Sequence, residues 1–206
     1  MTLNKNDLER SGQQMRVVGI TGGVGSGKSE VLRYLHDGCG AVICQMDETA
    51  KMLQRKGTKC YERIVKAFGA EIIGPDGELN RESLAEQVFS SDEKLDVLNG
   101  IVHPEVIRWV RDDIAGKEKE EVGIYVVESA LLPEVGAEIC SEIWYIYAPV
   151  SVRRERLRKS RGYTDEKISS MIAAQPSEEE FRKISSAVID NGGAFGNTVR
   201  QIGELL

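Results

Sequence analysis

Gly22, Gly23, Gly25 and Gly27 fall within one short stretch and run directly into Lys28 and Ser29. The spacing is that of G-x-x-x-x-G-K-[ST], a phosphate-binding loop. A polyphosphate needs several donors at short range. The backbone N–H groups of a tight turn and of a helix start supply them without side-chain bulk. Glycines at 22, 23, 25 and 27 permit positive φ and let phosphate oxygens approach the main chain. Lys28 is expected to reach the β- and γ-phosphates as a point charge, with the Ser29 hydroxyl as a ligand of Mg²⁺. The expected phosphate-binding residues are Gly23, Val24, Gly25, Ser26, Gly27, Lys28 and Ser29.

Such a loop acts only if a strand delivers it and a helix receives it. Residues 17–21 read as a buried strand, and Val31, Leu32 and Leu35 share one side of a helix that follows the loop. A second buried strand over 41–44 leads to Asp47, just before a helical run. In open parallel α/β sheets, ligands bind beyond the carboxyl ends of the strands. Asp47 is therefore expected beside the loop, and it also suits a helix N-cap. Residues 58–119 are nearly all helical, too long a block for an ordinary crossover, and read as an inserted subdomain that holds an acceptor substrate. Within it, Gly74-Pro75-Asp76-Gly77 marks a turn, Ser90 and Glu93 suggest a capping box, and His103-Pro104 suggests a further helix start.

Three more strands are expected over 123–128, 143–147 and 187–190. Glu128 closes the first of them, where it either assists Mg²⁺ through water or is a plain strand-end charge. After the strand at 143–147 come Arg153, Arg154, Arg156, Arg158, Lys159 and Arg161. A solvated face is one reading of this run, and a basic lid over a triphosphate is the other. Thr164 and a Ser177/Glu180 capping box start the two helices that follow.

The chain of 206 residues carries a formal charge of −6, which argues against nucleic acid as a main partner. No apolar run approaches the roughly 20 residues needed to cross a membrane. Residues 1–14 are polar, without the apolar core of a signal peptide, and are expected to form an N-terminal extension. Cys39, Cys44, Cys60 and Cys140 form no C-x-x-C pair and read as free thiols in a reducing cytoplasm. The guanine-reading pattern N-K-x-D occurs at 4–7, upstream of the first strand, and D-x-x-G occurs at 37–40, too close to Ser29 for a GTPase switch. A small-molecule kinase fits better.

Taken together, these stretches resemble the dephospho-CoA kinase family from Val17 to about Val199. The resemblance rests on the 19–29 segment, Asp47, Leu98-Asn99-Gly100-Ile101-Val102-His103-Pro104, Glu128-Ser129-Ala130-Leu131-Leu132, Arg156-Leu157, Ile172-Ala173-Ala174-Gln175 and Val188-Ile189-Asp190-Asn191. It implies an α/β fold: a three-layer P-loop kinase core with a five-stranded parallel sheet, a helical substrate-binding insertion and a helical lid. The core would comprise 15–57, 121–152 and 186–206, the acceptor subdomain 58–120 and the lid 153–185. The implied reaction is ATP-dependent phosphorylation of the ribose 3′-hydroxyl of dephospho-CoA, the last step of coenzyme A synthesis. Asp47 would act as general base, Lys28 and Arg156 would neutralise phosphoryl charge, and Asn191 would lie near the adenine. A cytoplasmic monomer or weak homo-oligomer is expected. Gln45, Ala130, Ser160, Ser185 and Ser186 depart from the family pattern without touching the loop or Asp47. A nucleotide or shikimate kinase, or a nucleotide-binding regulator without turnover, are the alternatives.

Overall fold

The computed structural model describes residues 14–129 and 132–206. Nearly all of the expected extension at 1–14, together with Ala130 and Leu131, lies outside the described residues. In chain order the elements are β1 (Arg16–Thr21), α1 (Lys28–Cys39), β2 (Val42–Gln45), α2 (Met46–Leu53), α3 (Lys59–Phe68), a 3-10 turn (Ala70–Ile72), α4 (Arg81–Phe89) and α5 (Asp92–Lys119). They continue with β3 (Ile124–Glu128), α6 (Leu132–Ile139), β4 (Glu142–Tyr147), α7 (Val150–Arg161), α8 (Asp165–Ala173), α9 (Glu178–Ile184), β5 (Ala187–Asp190) and α10 (Phe195–Leu205). The described residues form two compact units, 14–44 with 117–129 and 132–206, and 45–116.

The first unit is built on a five-stranded sheet in the order β2-β3-β1-β4-β5. β1 lies parallel to both β3 and β4, and β5 lies parallel to β4. Strands buried on both faces must be apolar where they are covered, and β1 is so from Val17 to Ile20. Val18 and Ile20 join Trp144, Ile146 and Ile189 in a core shared with Val31 and Leu35 of α1 and Ile202 of α10. Between them Gly19 faces the other side, where an added Cβ would lie 3.1 Å from Cys140 Sγ and 3.3 Å from Leu132 Cδ1. Burial, with the neighbouring Cys44 adding to it, pushes the Cys140 thiol up to about 12. All four cysteines are free. As the middle strand of the sheet, β1 delivers the 22–27 turn at its carboxyl end.

The second unit is helical. Cys60, Ile64 and Phe68 line the inner face of α3 at i, i+4 and i+8, and Ile72, Leu84, Val88, Val106 and Val110 are buried with them. Helix starts are fixed by side chains, Thr58 accepting from the Tyr61 amide and Asn80 from those of Glu82 and Ser83. Three local expectations are corrected here. The capping serine of α5 is Ser91, which accepts from the Lys94 amide at 3.4 Å, whereas Ser90 closes α4 by donating to the Gln87 carbonyl. Pro104 starts no helix; it lies inside α5, where it leaves the Gly100 carbonyl without its usual donor. Continuous burial of Ile101, Val102, Val106 and Val110 outweighs that loss. The N-cap of α2 is Gln45, and Asp47 sits within the first turn, where a negative charge suits the helix dipole.

Ile20→Ala should cost about 2–5 kcal/mol in urea unfolding because it opens a cavity at a fully buried position of the middle strand. Val188→Ala, at a position 37% exposed on β5, should stay within about 0.5 kcal/mol.

Candidate functional site

The 22–29 loop of the first unit ends in an uncapped helix. Gly27 occupies the N-cap of α1 at φ 90°, and no side chain bonds to the helix start. The first amides of a helix have no carbonyl one turn back to receive them, so this end is built to meet an anion. Lys28 donates from Nζ to the Gly22 carbonyl at 2.6 Å and lies 4.0 Å from Glu128 Oε1. Ser29 is exposed in the first turn of α1. The Ser26 hydroxyl is buried without a hydrogen-bond partner.

The outer side of the loop is occupied by protein. Arg153 donates from Nε to the Val24 carbonyl at 2.8 Å and from a terminal nitrogen to Gln175 Oε1 at 3.1 Å. The same Gln175 oxygen accepts the Val24 amide at 2.8 Å. Both polar groups of Val24 are thus held from one side. In a trans peptide the carbonyl and the following N–H point in opposite directions, and the structure contains no cis bond among the described residues. Holding the Val24 carbonyl toward Arg153 therefore turns the Gly25 amide away from it, to the inner side of the turn. Burial pulls the Arg153 guanidinium below its ordinary value, while Tyr145 acts in the other direction.

Asn191 and Arg156 do the same two residues further on. The Asn191 side-chain amide donates to the Ser26 carbonyl at 2.8 Å, and Arg156 donates to that carbonyl at 3.1 Å. Arg156 also donates to the Asn191 carbonyl at 2.8 Å. Asn191 is buried, with its side-chain oxygen accepting from Thr198 Oγ1 at 2.8 Å and its amide bonded to the Tyr147 carbonyl. The glycines can now be separated by cause. Gly22, Gly25 and Gly27 adopt positive φ, but Gly23 does not. Its hydrogen is required because a Cβ would run into the Arg153 guanidinium, just as one on Gly27 would meet the Asn191 amide.

The basic run of α7 is divided in the same way. Arg154 and Arg158 both bond Asp165 Oδ1, at 3.0 and 2.9 Å, and hold its carboxyl below the usual range, Arg158 contributing most. Lys159 pairs with Glu155 at 2.7 Å. Thr164 and the Ser177/Glu180 box cap α8 and α9 as their sequence spacing suggested. Of the sequence-derived site residues, the first unit brings together the 22–29 loop, Lys28, Arg156 and Asn191. Asp47 stands in the second unit, exposed in the first turn of α2. The sequence alone assigns no structural role to Arg153 or to Gln175, which stands within the Ala173-Ala174-Gln175 stretch. The signal for Arg153 was its i, i+4 spacing with Leu157, which makes these two the buried residues of α7.

Among known proteins, the family model described as dephospho-CoA kinase matches residues 16–196. A dephospho-CoA kinase of Corynebacterium diphtheriae is 36% identical over 181 residues, covering 87% of this chain and 90% of that one. One of Carboxydothermus hydrogenoformans is 35% identical over 187 residues, with 90% of each chain covered. A crystal structure from Thermus thermophilus aligns with a TM-score of 0.77 at 28% identity, over 93% of this chain and 96% of that one. A dephospho-CoA kinase from Campylobacter jejuni aligns at 0.65 and 18% identity, over 92% and 96%, a likeness of fold.

Gln175→Ala removes the acceptor shared by Arg153 and the Val24 amide, leaving buried donors unpaired at about 1–3 kcal/mol. ATP affinity by calorimetry should fall about tenfold, whereas Gln175→Glu, which keeps an acceptor oxygen there, should retain most of it. Equal ATP affinity in wild type and Gln175→Ala would contradict the bracing role.

Proposed function

The chain belongs to the dephospho-CoA kinase family, and from that premise we propose how its own residues divide the work. The reaction is transfer of a phosphoryl group from ATP to the ribose 3′-hydroxyl of dephospho-CoA, giving coenzyme A and ADP. The observation that carries the residue-level reading is the uncapped start of α1 behind a loop whose carbonyls are held outward. Amides of the loop and of the first turn receive the phosphate oxygens of ATP. Lys28 shifts its ammonium from the Gly22 carbonyl to the β- and γ-phosphates. Arg156, whose guanidinium carries five N–H donors, has donors left for phosphoryl charge beyond the Ser26 and Asn191 carbonyls.

Mg²⁺ fits the residues present. Among the described residues no cluster of three His, Cys, Asp or Glu side chains offers a protein-made metal site. Mg²⁺ in kinases takes few protein ligands and completes its shell with phosphate oxygens and water, so the exposed Ser29 hydroxyl is a sufficient protein donor. Held there by Ser29, the ion would supply positive charge against the phosphate oxygens of ATP. Glu128, 4.0 Å from Lys28, suits an outer role through water.

Asp47 is the acceptor-side group in this reading. Its carboxylate takes the hydrogen bond of the ribose 3′-hydroxyl, orients the oxygen for in-line attack and accepts the proton as the new bond forms. A positioned base contributes on the order of 10²–10⁴ in rate. Residues 58–120 hold the rest of the acceptor and residues 153–185 act as the lid. Because the Asn191 side chain braces the loop, contact of this turn with the adenine falls to the neighbouring glycines Gly192 and Gly193. ATP use and free thiols support a cytoplasmic site for the reaction. Among the described residues no helix is long and apolar enough to cross a membrane.

Release of ADP with dephospho-CoA as acceptor tests the division of roles. Asp47→Asn should bind ATP as wild type does and lose about 10²–10⁴ in kcat. Lys28→Ala should lower both ATP affinity and kcat. Near-wild-type turnover by Asp47→Asn would contradict the acceptor role.

A further inference from the structure

The second unit contains a cleft of about 490 Å³ whose charge the reaction has not used. Lys51, Arg55 and Arg81 line it together with Glu48 and Glu78. The two carboxylates are engaged, Glu48 with Lys51 at 2.6 Å and Glu78 with the Lys56 amide at 3.0 Å. Among the described residues, no hydrogen bond or ion pair engages the Arg55 or Arg81 guanidinium. The charge left over in the cleft is therefore positive, in a chain whose net charge is −6. Arg81 is also out of place for the stability of its own helix. It opens α4, and the positive end of the helix dipole disfavours a cation there. Asn80 already satisfies two of the α4 amides, so Arg81 contributes nothing to capping. Such a position favours a role toward an anion outside the unit.

The helix that borders the cleft also carries Asp47. Asp47 and Lys51 are i and i+4 on α2, one above the other on the same face and separated by about 6 Å along the axis. Arg55 follows one further turn of chain on, just past the helix end. In dephospho-CoA the chain O3′–C3′–C4′–C5′–O5′–P joins the reacting hydroxyl to the nearer phosphorus, a reach comparable to one helical turn of about 5.4 Å. With the hydroxyl at Asp47, the diphosphate falls at the level of Lys51 and the two guanidiniums.

We propose that this cleft is the subsite for the acceptor's diphosphate, with Arg55 and Arg81 as its principal ligands and Lys51 as a third cation. The proposal rests on the reading of Asp47 as the acceptor-side group. Guanidiniums present paired donors that match phosphate oxygens. They make the diphosphate the feature by which dephospho-CoA is distinguished from a bare nucleoside, and leave the pantetheine to apolar contacts such as Met52 and Leu79 at the cleft wall.

The test compares dephospho-CoA with adenosine, which offers the same ribose 3′-hydroxyl without a diphosphate. Arg55→Gln and Arg81→Gln, alone and combined, change exposed side chains, and thermal melts of the full chain check the fold. The ratio of kcat/KM for dephospho-CoA to that for adenosine should fall about tenfold for each guanidinium removed, through KM for the acceptor, and Arg81→Lys should recover part of it. An unchanged ratio in the double variant, in an enzyme that still depends on Asp47, would overturn the cleft assignment alone. Full activity of Asp47→Asn would overturn the reading beneath it.

Discussion

A phosphate loop works only if its amides face inward, and in this protein that orientation is imposed from outside. The Val24 and Ser26 carbonyls are each held outward by a cationic side chain, Arg153 and Arg156, whereas the Val24 amide is bonded to Gln175 on that same outer side and is not one of the inward donors. Because each peptide is planar and trans, fixing an oxygen on one side fixes the next N–H on the other. Glycines at 23 and 27 are then needed to let the braces approach as well as to let phosphate approach. The loop is thus a junction of β1, α7, the residues after α8 and the turn after β5, and any change in those elements reaches the amides proposed to hold the triphosphate.

This arrangement gives the arginine-rich helix a more divided role than a uniformly charged lid. Arg153 is buried, Arg154 and Arg158 tie α7 to the start of α8 through Asp165, and Lys159 is paired within its own helix. Only part of the positive charge of α7 is therefore open to a ligand. In the second unit Lys51, Arg63 and Arg108 are paired with carboxylates, whereas the Arg55 and Arg81 guanidiniums share one cleft without such partners among the described residues.

The sheet was legible because its strands are short apolar runs bounded by turn residues, and β5 lies at the residues the pattern marked. The loop was legible because its pattern is local. Caps at Thr164 and Ser177 were legible for the same reason, whereas Ser90 and Pro104 misled because a local signal competes with the burial of a long helix face. The braces were not legible as braces. Gln175 lies 151 residues from Val24, and Arg153 lies 129 residues away, so no spacing rule connects them. Arg153 hid within a run of charges that read as a single feature, although its pairing with Leu157 placed it on the buried face. Asn191 stands out in the sequence as a neighbour of the base, and nothing local marks it as a support of the loop.

The central claim is that this loop passes the terminal phosphoryl group of ATP to one particular hydroxyl. The most direct measurement is phosphorus and proton magnetic resonance of the product formed from ATP and dephospho-CoA. The expected result is a new phosphomonoester coupled to the ribose H3′, formed in step with ADP. Phosphate on any other oxygen, or ADP released with inorganic phosphate alone, would contradict it.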